Sequence, residues 1–197
     1  LGSNGWAIAP SNTENGYAML LANPEVLWDE EQTFFEAQQT APGVYDAYGA
    51  TFVGFPVLAI SFNDFLGWTH TVNQLRAGDL YQLTTAGGGY RFDDEILPFD
   101  THTETILVRQ DDGTFREETL EIRRSVHGPV VDVDGTAIAI RMAAVDDWSS
   151  AAGMIEQWWD MGRATNLAEF EDVLRRLQVP MFTVLYADQD GHILSLF

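Results

Sequence analysis

Four histidines, His70, His102, His127 and His192, are the only imidazoles in a chain of 197 residues that contains neither cysteine nor lysine. The two absences remove chemistry outright: no thiolate nucleophile, disulfide or cysteine metal site, and no Schiff base. The histidines show no i, i+4 pairing on a helix and no zinc spacing. His70 admits two readings, a general base in a Ser-His arrangement or a structural histidine held in a strand. His127, in a His-Gly-Pro turn, reads as structural, and His102 and His192 fall in expected turns or edges. Serine hydroxyls remain as nucleophiles, and a hydroxyl attacks well only when a base removes its proton.

The charge is lopsided, with 30 acidic residues against 10 basic ones, all arginine, for a net −20. Such a surface repels phosphate backbones and anionic lipid, so neither nucleic acid nor a membrane is an expected partner. Attraction of a cationic ligand and a solvated acidic surface, as in salt-adapted proteins, both fit the excess; the scatter of the acids along the chain favours the second. No apolar run approaches bilayer length, and the Leu1 end has no basic segment leading into an apolar one, so any signal peptide is expected outside these residues. A hydrophobic fraction of 46% suffices for one substantial core or one lobe of a larger fold.

The elements that must position any chemistry are mostly short strands. Apolar-polar alternation and turn residues predict strands at 6–9, 18–22, with Asn15-Gly16 between them, 34–40, 57–62, 68–72 and 79–84, followed by a glycine loop at Gly87-Gly88-Gly89. A long hairpin is expected from Thr103 to Val131, turning at Asp111-Asp112-Gly113, and another strand over 137–142. One helix is expected from Ser149 to Met161, on which at most one of Trp158 and Trp159 would face the same core. A second starts at Asn166, with Glu169 as reciprocal cap, and runs towards Leu177. Strands over 182–187 and 193–197 would pair across Asp190-Gly191. A sequence stopping in that last strand is expected to be a fragment. The order fits a layered α+β architecture rather than a parallel βαβ fold.

Leu1-Gly2-Ser3-Asn4-Gly5-Trp6, with Ala22-Asn23-Pro24 after it, resembles the processing site and first hairpin of the penicillin acylase family. The resemblance continues through Ala41-Pro42-Gly43, Gly54-Phe55-Pro56, Gly67-Trp68-Thr69-His70-Thr71-Val72 and Asp79-Leu80-Tyr81. It extends to Ser125-Val126-His127-Gly128-Pro129-Val130, Gln157-Trp158-Trp159 and Tyr186-Ala187-Asp188. The Thr69-His70-Thr71-Val72 block is most similar to the branch of acyl-homoserine-lactone and lipopeptide acylases. The resemblance implies part of a four-layer αββα N-terminal-nucleophile hydrolase sandwich. Residues 1–197 would be the leading part of its catalytic (beta) subunit, beginning two residues before the processing site. Further expectations are an exported, periplasmic or secreted enzyme, an acyl amide substrate, and the remainder of the same precursor, alpha chain and rest of the beta chain, as partner.

By the same resemblance Ser3 is the nucleophile, and cleavage of the Gly2–Ser3 bond frees its α-amine to act as base; an unperturbed amine of pKa about 7.7–8.0 suits that task. The Val72 backbone N–H would be one oxyanion donor, the second being an asparagine beyond Phe197. Glu25 departs from the pattern, which has histidine or glutamine near the serine amine; a carboxylate there would pair with the ammonium form and raise its pKa, or point to solvent. That departure keeps open an impaired descendant of the fold that binds without hydrolysing. No cofactor is expected. Asp79 matches a carboxylate that ligates calcium in some relatives, but Arg76 occupies another ligand position, and calcium needs six to eight oxygens. Phe34, Phe52, Phe55 and Trp158 fit an acyl pocket or plain core, and the segment after Asn-Pro, Val26 and Leu27, begins the pocket by resemblance. Leu27 and Phe52 are the substrate-binding candidates.

Overall fold

A computed structural model describes residues 2–27, 32–73, 78–143 and 148–197. In chain order the strands are β1 (Gly2–Ile8), β2 (Met19–Glu25), β3 (Phe34–Ala41), β4 (Tyr45–Phe52), β5 (Ile60–Phe62), β6 (Leu66–Val72), β7 (Gly78–Gln82), β8 (Thr85–Ala86), β9 (Gly89–Phe92), β10 (Glu95–Pro98), β11 (Asp100–Arg109), β12 (Phe115–Ser125), β13 (Gly128–Val133) and β14 (Thr136–Met142). Helices α1 (Trp148–Met161) and α2 (Leu167–Leu174) follow, then β15 (Phe182–Asp188) and β16 (Ile193–Leu196). The chain divides into two compact units, one of residues 1–75 with 147–197 and one of residues 76–146.

The first unit holds a six-stranded antiparallel sheet of order β16-β15-β6-β5-β4-β3 and the two-stranded β1–β2 hairpin. Successive side chains on a strand point to opposite faces, so this sheet has a helix face and a hairpin face. On the helix face Trp68, Tyr186 and Val184 pack with Phe170, Met161 and Trp158 of the helices. Trp68 donates its indole N–H to the Ala59 carbonyl at 2.9 Å, which satisfies its polar atom inside the core. Both tryptophans of the helical pair reach the sheet: Trp158 is buried among Phe55, His70 and Phe182, while Trp159 stacks on Tyr45 with centroids 4.2 Å apart. Expecting only one of them to face the core understated the arc that a broad sheet offers a helix.

β4 is an element that alternation did not reveal. Its inward residues are Tyr45, Ala47, Gly49 and Thr51, a set with weak strand propensity apart from Tyr45 and Thr51. Gly49 is required by the crossing, because a Cβ there would strike the Ile60 carbonyl and the Ser61 backbone. The strand expected over 57–62 is confined to Ile60–Phe62; Val57, Leu58 and Ala59 are buried in irregular chain after a turn at Gly54 (φ +85°). A short apolar run does not distinguish a strand from a buried bend.

Asn166 caps α2 as expected, accepting from the Glu169 N–H at 3.0 Å. The reciprocal bond shifts by one residue: Glu169 accepts from the Thr165 N–H at 2.8 Å, and those hydrogen bonds hold its carboxyl below the usual range. The helix ends at Leu174, short of Leu177, which turns left-handed with φ +54°.

The second unit contains a five-stranded sheet of order β11-β12-β13-β14-β7 and a three-stranded sheet of order β10-β9-β8. Its core is Leu83, Tyr90, Val130, Ala137 and Ala139. The long hairpin turns where expected but runs from Asp100 to Ser125, β11 pairing β12; the stretch expected to extend it to Val131 turns back at Val126-His127 and forms β13 against β12, and the glycine loop turns β8 into β9. His127 stacks on Tyr81 with centroids 4.0 Å apart, a structural setting.

Candidate active site

Ser3 lies near the start of β1, where the register sets Gly2 opposite Glu25 and Ser3 opposite Pro24. Ser3, Gly5 and Ala7 share one hairpin face with Leu20, Ala22 and Pro24, and that face lies on β6 and β15. Gly5 permits the approach, since a Cβ there would collide with Leu185 and stand 3.1 Å from Thr69 Cγ2; one step along, Gly67 meets Leu20. Two-residue steps continued in the same direction lead from Gly5 and Thr69 to Ser3 and the Thr71 end of β6.

The Ser3 hydroxyl accepts a hydrogen bond from the Glu25 backbone N–H at 3.3 Å. The Glu25 side chain belongs to the opposite hairpin face, with Asn4 and Asn23. Its Oε1 accepts from Asn4 Nδ2 at 3.2 Å and from Asn23 Nδ2 at 3.0 Å. Glu25 therefore does not simply project into solvent; it is tied on two sides. Motif reasoning missed Asn4 and Asn23 as partners. The signal was available in the hairpin, whose register sets the two asparagines opposite each other.

Val72 is the last residue of β6, opposite Phe182 of β15. The next N–H, of Asn73, donates to Met181 at 2.9 Å, and the Phe65 carbonyl accepts from Gln189 on the same side. Backbone groups alternate along a strand, so the Val72 N–H points away from β15, towards the side where β5 runs. β5 pairs only with Gly67 and Trp68. The Val72 N–H thus emerges beyond the end of its neighbour and outside the ladder.

His70 faces the helices, away from the hairpin that carries Ser3. It is 6% exposed, and its Nε2 accepts from the Trp158 indole N–H at 2.8 Å. Burial drives its pKa down to about 3, so the ring is neutral at any working pH. This is the structural histidine, not a base beside Ser3. His192 and Tyr186 both donate to Asp188 Oδ2, at 2.9 and 2.8 Å. Burial pushes that carboxyl up, but the hydrogen bonds outweigh it and hold the group below its ordinary value.

A groove of about 830 Å³ runs between the edge of β2 and the hairpin face of β3–β5, lined by Leu20, Ala22 and Pro24 on one side and Phe34, Tyr48 and Phe62 on the other. Pro24, the cross-strand partner of Ser3, lies at the groove wall. Leu27 is 53% exposed and Phe52 meets the groove only through Phe34, its centroid 4.3 Å away; neither lines it. Phe55 and Trp158 belong to the core beneath the helices.

Asp79, on β7, stands opposite Arg141 in register, and Arg76 lies outside the described residues. Among the described residues no group of three or more His, Asp or Glu side chains is arranged to hold a metal ion. The described residues around Asp79 therefore do not by themselves make a calcium site. Nor is any described helix long and apolar enough to cross a membrane.

A family model described as penicillin amidase matches residues 1–197. An acyl-homoserine lactone acylase PvdQ of Pseudomonas fluorescens (strain Pf0-1) is 33% identical over 99% of this chain and 26% of its own length. Aculeacin-A acylase of Actinoplanes utahensis is 30% identical over 98% of this chain and 25% of its own. A thermostable penicillin G acylase from Alcaligenes faecalis superposes with a TM-score of 0.74 at 22% identity, over 98% of this chain and 34% of that one, which shows a shared fold. The chain spans about a quarter of the length of these curated relatives.

Proposed function

The chain belongs to the penicillin amidase family, and from that premise we propose that it is the leading part of the catalytic chain of an acylase that hydrolyses amides through Ser3. The observation that supports the reading is the packing of the hairpin: Gly5 and Leu20 bring the face that carries Ser3 against β6, and β5 stops short of the Val72 end of that strand. Cleavage of the Gly2–Ser3 bond gives Ser3 a free amine. That amine takes the hydroxyl proton through a water, and Oγ adds to the acyl carbonyl. The Val72 N–H stabilises the resulting oxyanion together with a second donor from the remainder of the precursor. Collapse expels the amine, which carries off a proton, and water then releases the acid from the serine ester.

The acyl chain is assigned to the groove along β2, because its walls are aromatic and aliphatic and Pro24 ties it to the serine. Leu27 and Phe52 act at most on its rim. The substrate class is an acyl amide such as those in the relatives' names, an acyl-homoserine lactone or aculeacin A. Export to the periplasm or medium belongs to the same reading.

The test is mass spectrometry of the full-length protein combined with amine release from a panel of aliphatic and aromatic acyl amides. Cleavage before Ser3, with both cleavage and turnover lost in Ser3→Ala, is the expected result. An uncleaved chain that binds acyl amides without hydrolysing them would instead make this a binding descendant of the fold, the outcome that the carboxylate at position 25 favours.

A further inference from the structure

The carboxylate of Glu25 is fixed before any substrate arrives. Two amides from adjacent strands, Asn4 Nδ2 at 3.2 Å and Asn23 Nδ2 at 3.0 Å, hold its Oε1. Its Oε2 stands 3.7 Å from where a Cβ on Gly2, its cross-strand neighbour, would be. Gly2 is the residue that departs when the bond before Ser3 is cut, so the carboxylate lies beside the residue whose departure frees the new amine. We infer that Asn4 and Asn23 are positioning residues that hold Glu25 as a fixed counter-ion for the Ser3 ammonium, setting the acidic limb of activity at a higher pH than a neutral residue would. The inference rests on the N-terminal-serine reading above.

The sign follows from which form works. A neighbouring carboxylate stabilises the protonated amine, and only the free amine can take the serine proton. More alkaline solution is therefore needed to reach full rate. Opposite charges within about 4–6 Å move a pKa by about 1–3 units, and Glu25 is exposed, so the shift falls near one unit and shrinks as salt screens the pair.

Among the described strands packed against the hairpin, no other charge competes for this position; Glu36 and Asp64 lie across the groove from Pro24. Glu25 is the one ionisable side chain on β1 and β2. Of the strands packed against the hairpin, β6 offers His70 and β15 offers Tyr186, both facing the helices, and Asp188 at the far end beside Leu66; β16 has none.

The experiment is kcat/KM against pH for the processed full-length enzyme, in the wild type, Glu25→Gln and the Asn4→Ala/Asn23→Ala pair. Glu25→Gln is expected to move the acidic limb down by about one unit, giving roughly tenfold more of its plateau rate below the limb. The double variant should fall between, and 1 M salt should bring the wild type towards Glu25→Gln. A merely structural Glu25 would lower the plateau or slow processing and leave the limb in place. Should Glu25→Gln process poorly, Glu25→Asp, too short to keep both amide bonds, supplies the same comparison with an intermediate limb. Coincident limbs in a wild type that is cleaved and depends on Ser3 overturn the role of Glu25 alone. A wild type that is uncleaved, or active without the Ser3 hydroxyl, overturns the active-site reading itself.

Discussion

The two faces of the six-stranded sheet are built for opposite ends. The helix face is filled: Trp68, Phe170, Met161 and Tyr186 are at most 1% exposed, and His70 is kept neutral between Trp158 and Phe182. The hairpin face is only partly covered. Glycines at 5 and 67 draw the hairpin close over β6 and β15, while Tyr48 and Phe62 beyond its edge remain 40% and 55% exposed beside the groove. One sheet thus presents a dry side that resists change and an open side that can receive a ligand. The polar groups differ accordingly. Those on the helix face pair inside the core, Trp68 with the Ala59 carbonyl and Trp158 with His70, whereas Glu25 pairs with Asn4 and Asn23 at an exposed edge.

The largest expected effect tests the open face. Ser3→Ala should reduce amide turnover of the full-length protein by roughly 10⁴-fold or more while leaving its thermal unfolding nearly unchanged. A fall in stability as large as the fall in rate would erase the division of labour between the faces. Next comes Gly49→Ala, whose methyl meets backbone of β5 that cannot yield without moving the sheet. A loss of about 3 kcal/mol in denaturant unfolding is expected, with catalysis per folded molecule retained.

The third effect concerns pH and the dry face. Below pH 6.5 the unfolded chain binds a proton that buried His70, with its pKa near 3, refuses. Stability therefore falls as pH drops through that window, by at most about 1.4 kcal/mol per pH unit from this group. Urea midpoints for the wild type should decline more steeply from pH 6 to pH 4 than those of His70→Gln; equal slopes would mean that the ring is hydrated. The smallest effect is at Tyr45, whose buried hydroxyl has no hydrogen-bond partner among the described residues and whose pKa burial raises to about 12. Tyr45→Phe should change stability by less than about 1 kcal/mol, towards greater stability, read from the shift in melting temperature.

Much of this was legible beforehand because it is carried by local signals. Asn15-Gly16 and Asp190-Gly191 mark the turns they occupy, Asn166 and Glu169 mark the start of α2, and the order of motif blocks identifies the family. What escaped was set by contacts between distant segments. β4 is a strand because Gly49 and Ala47 fit beneath neighbours, not because their own propensities demand it. Val57 to Ala59 are apolar because they are buried, and burial alone does not say that they are extended. At the candidate site, Ser3, Val72 and Glu25 came from motif position, while the asparagines that grip Glu25 required pairing β1 with β2. The groove needs three strands and a hairpin assembled together and was not legible; Leu27 and Phe52, the substrate-binding candidates, do not line it.

The shortness of β5 has a catalytic consequence. Were its register continued backwards to Val57, that residue would lie opposite Val72 and its carbonyl would take the very N–H assigned to the oxyanion. The bend that begins at Gly54 (φ +85°) prevents this by steering the chain inward before it can zip alongside. A longer, more regular strand would complete the sheet and take up the N–H that the proposed reaction requires.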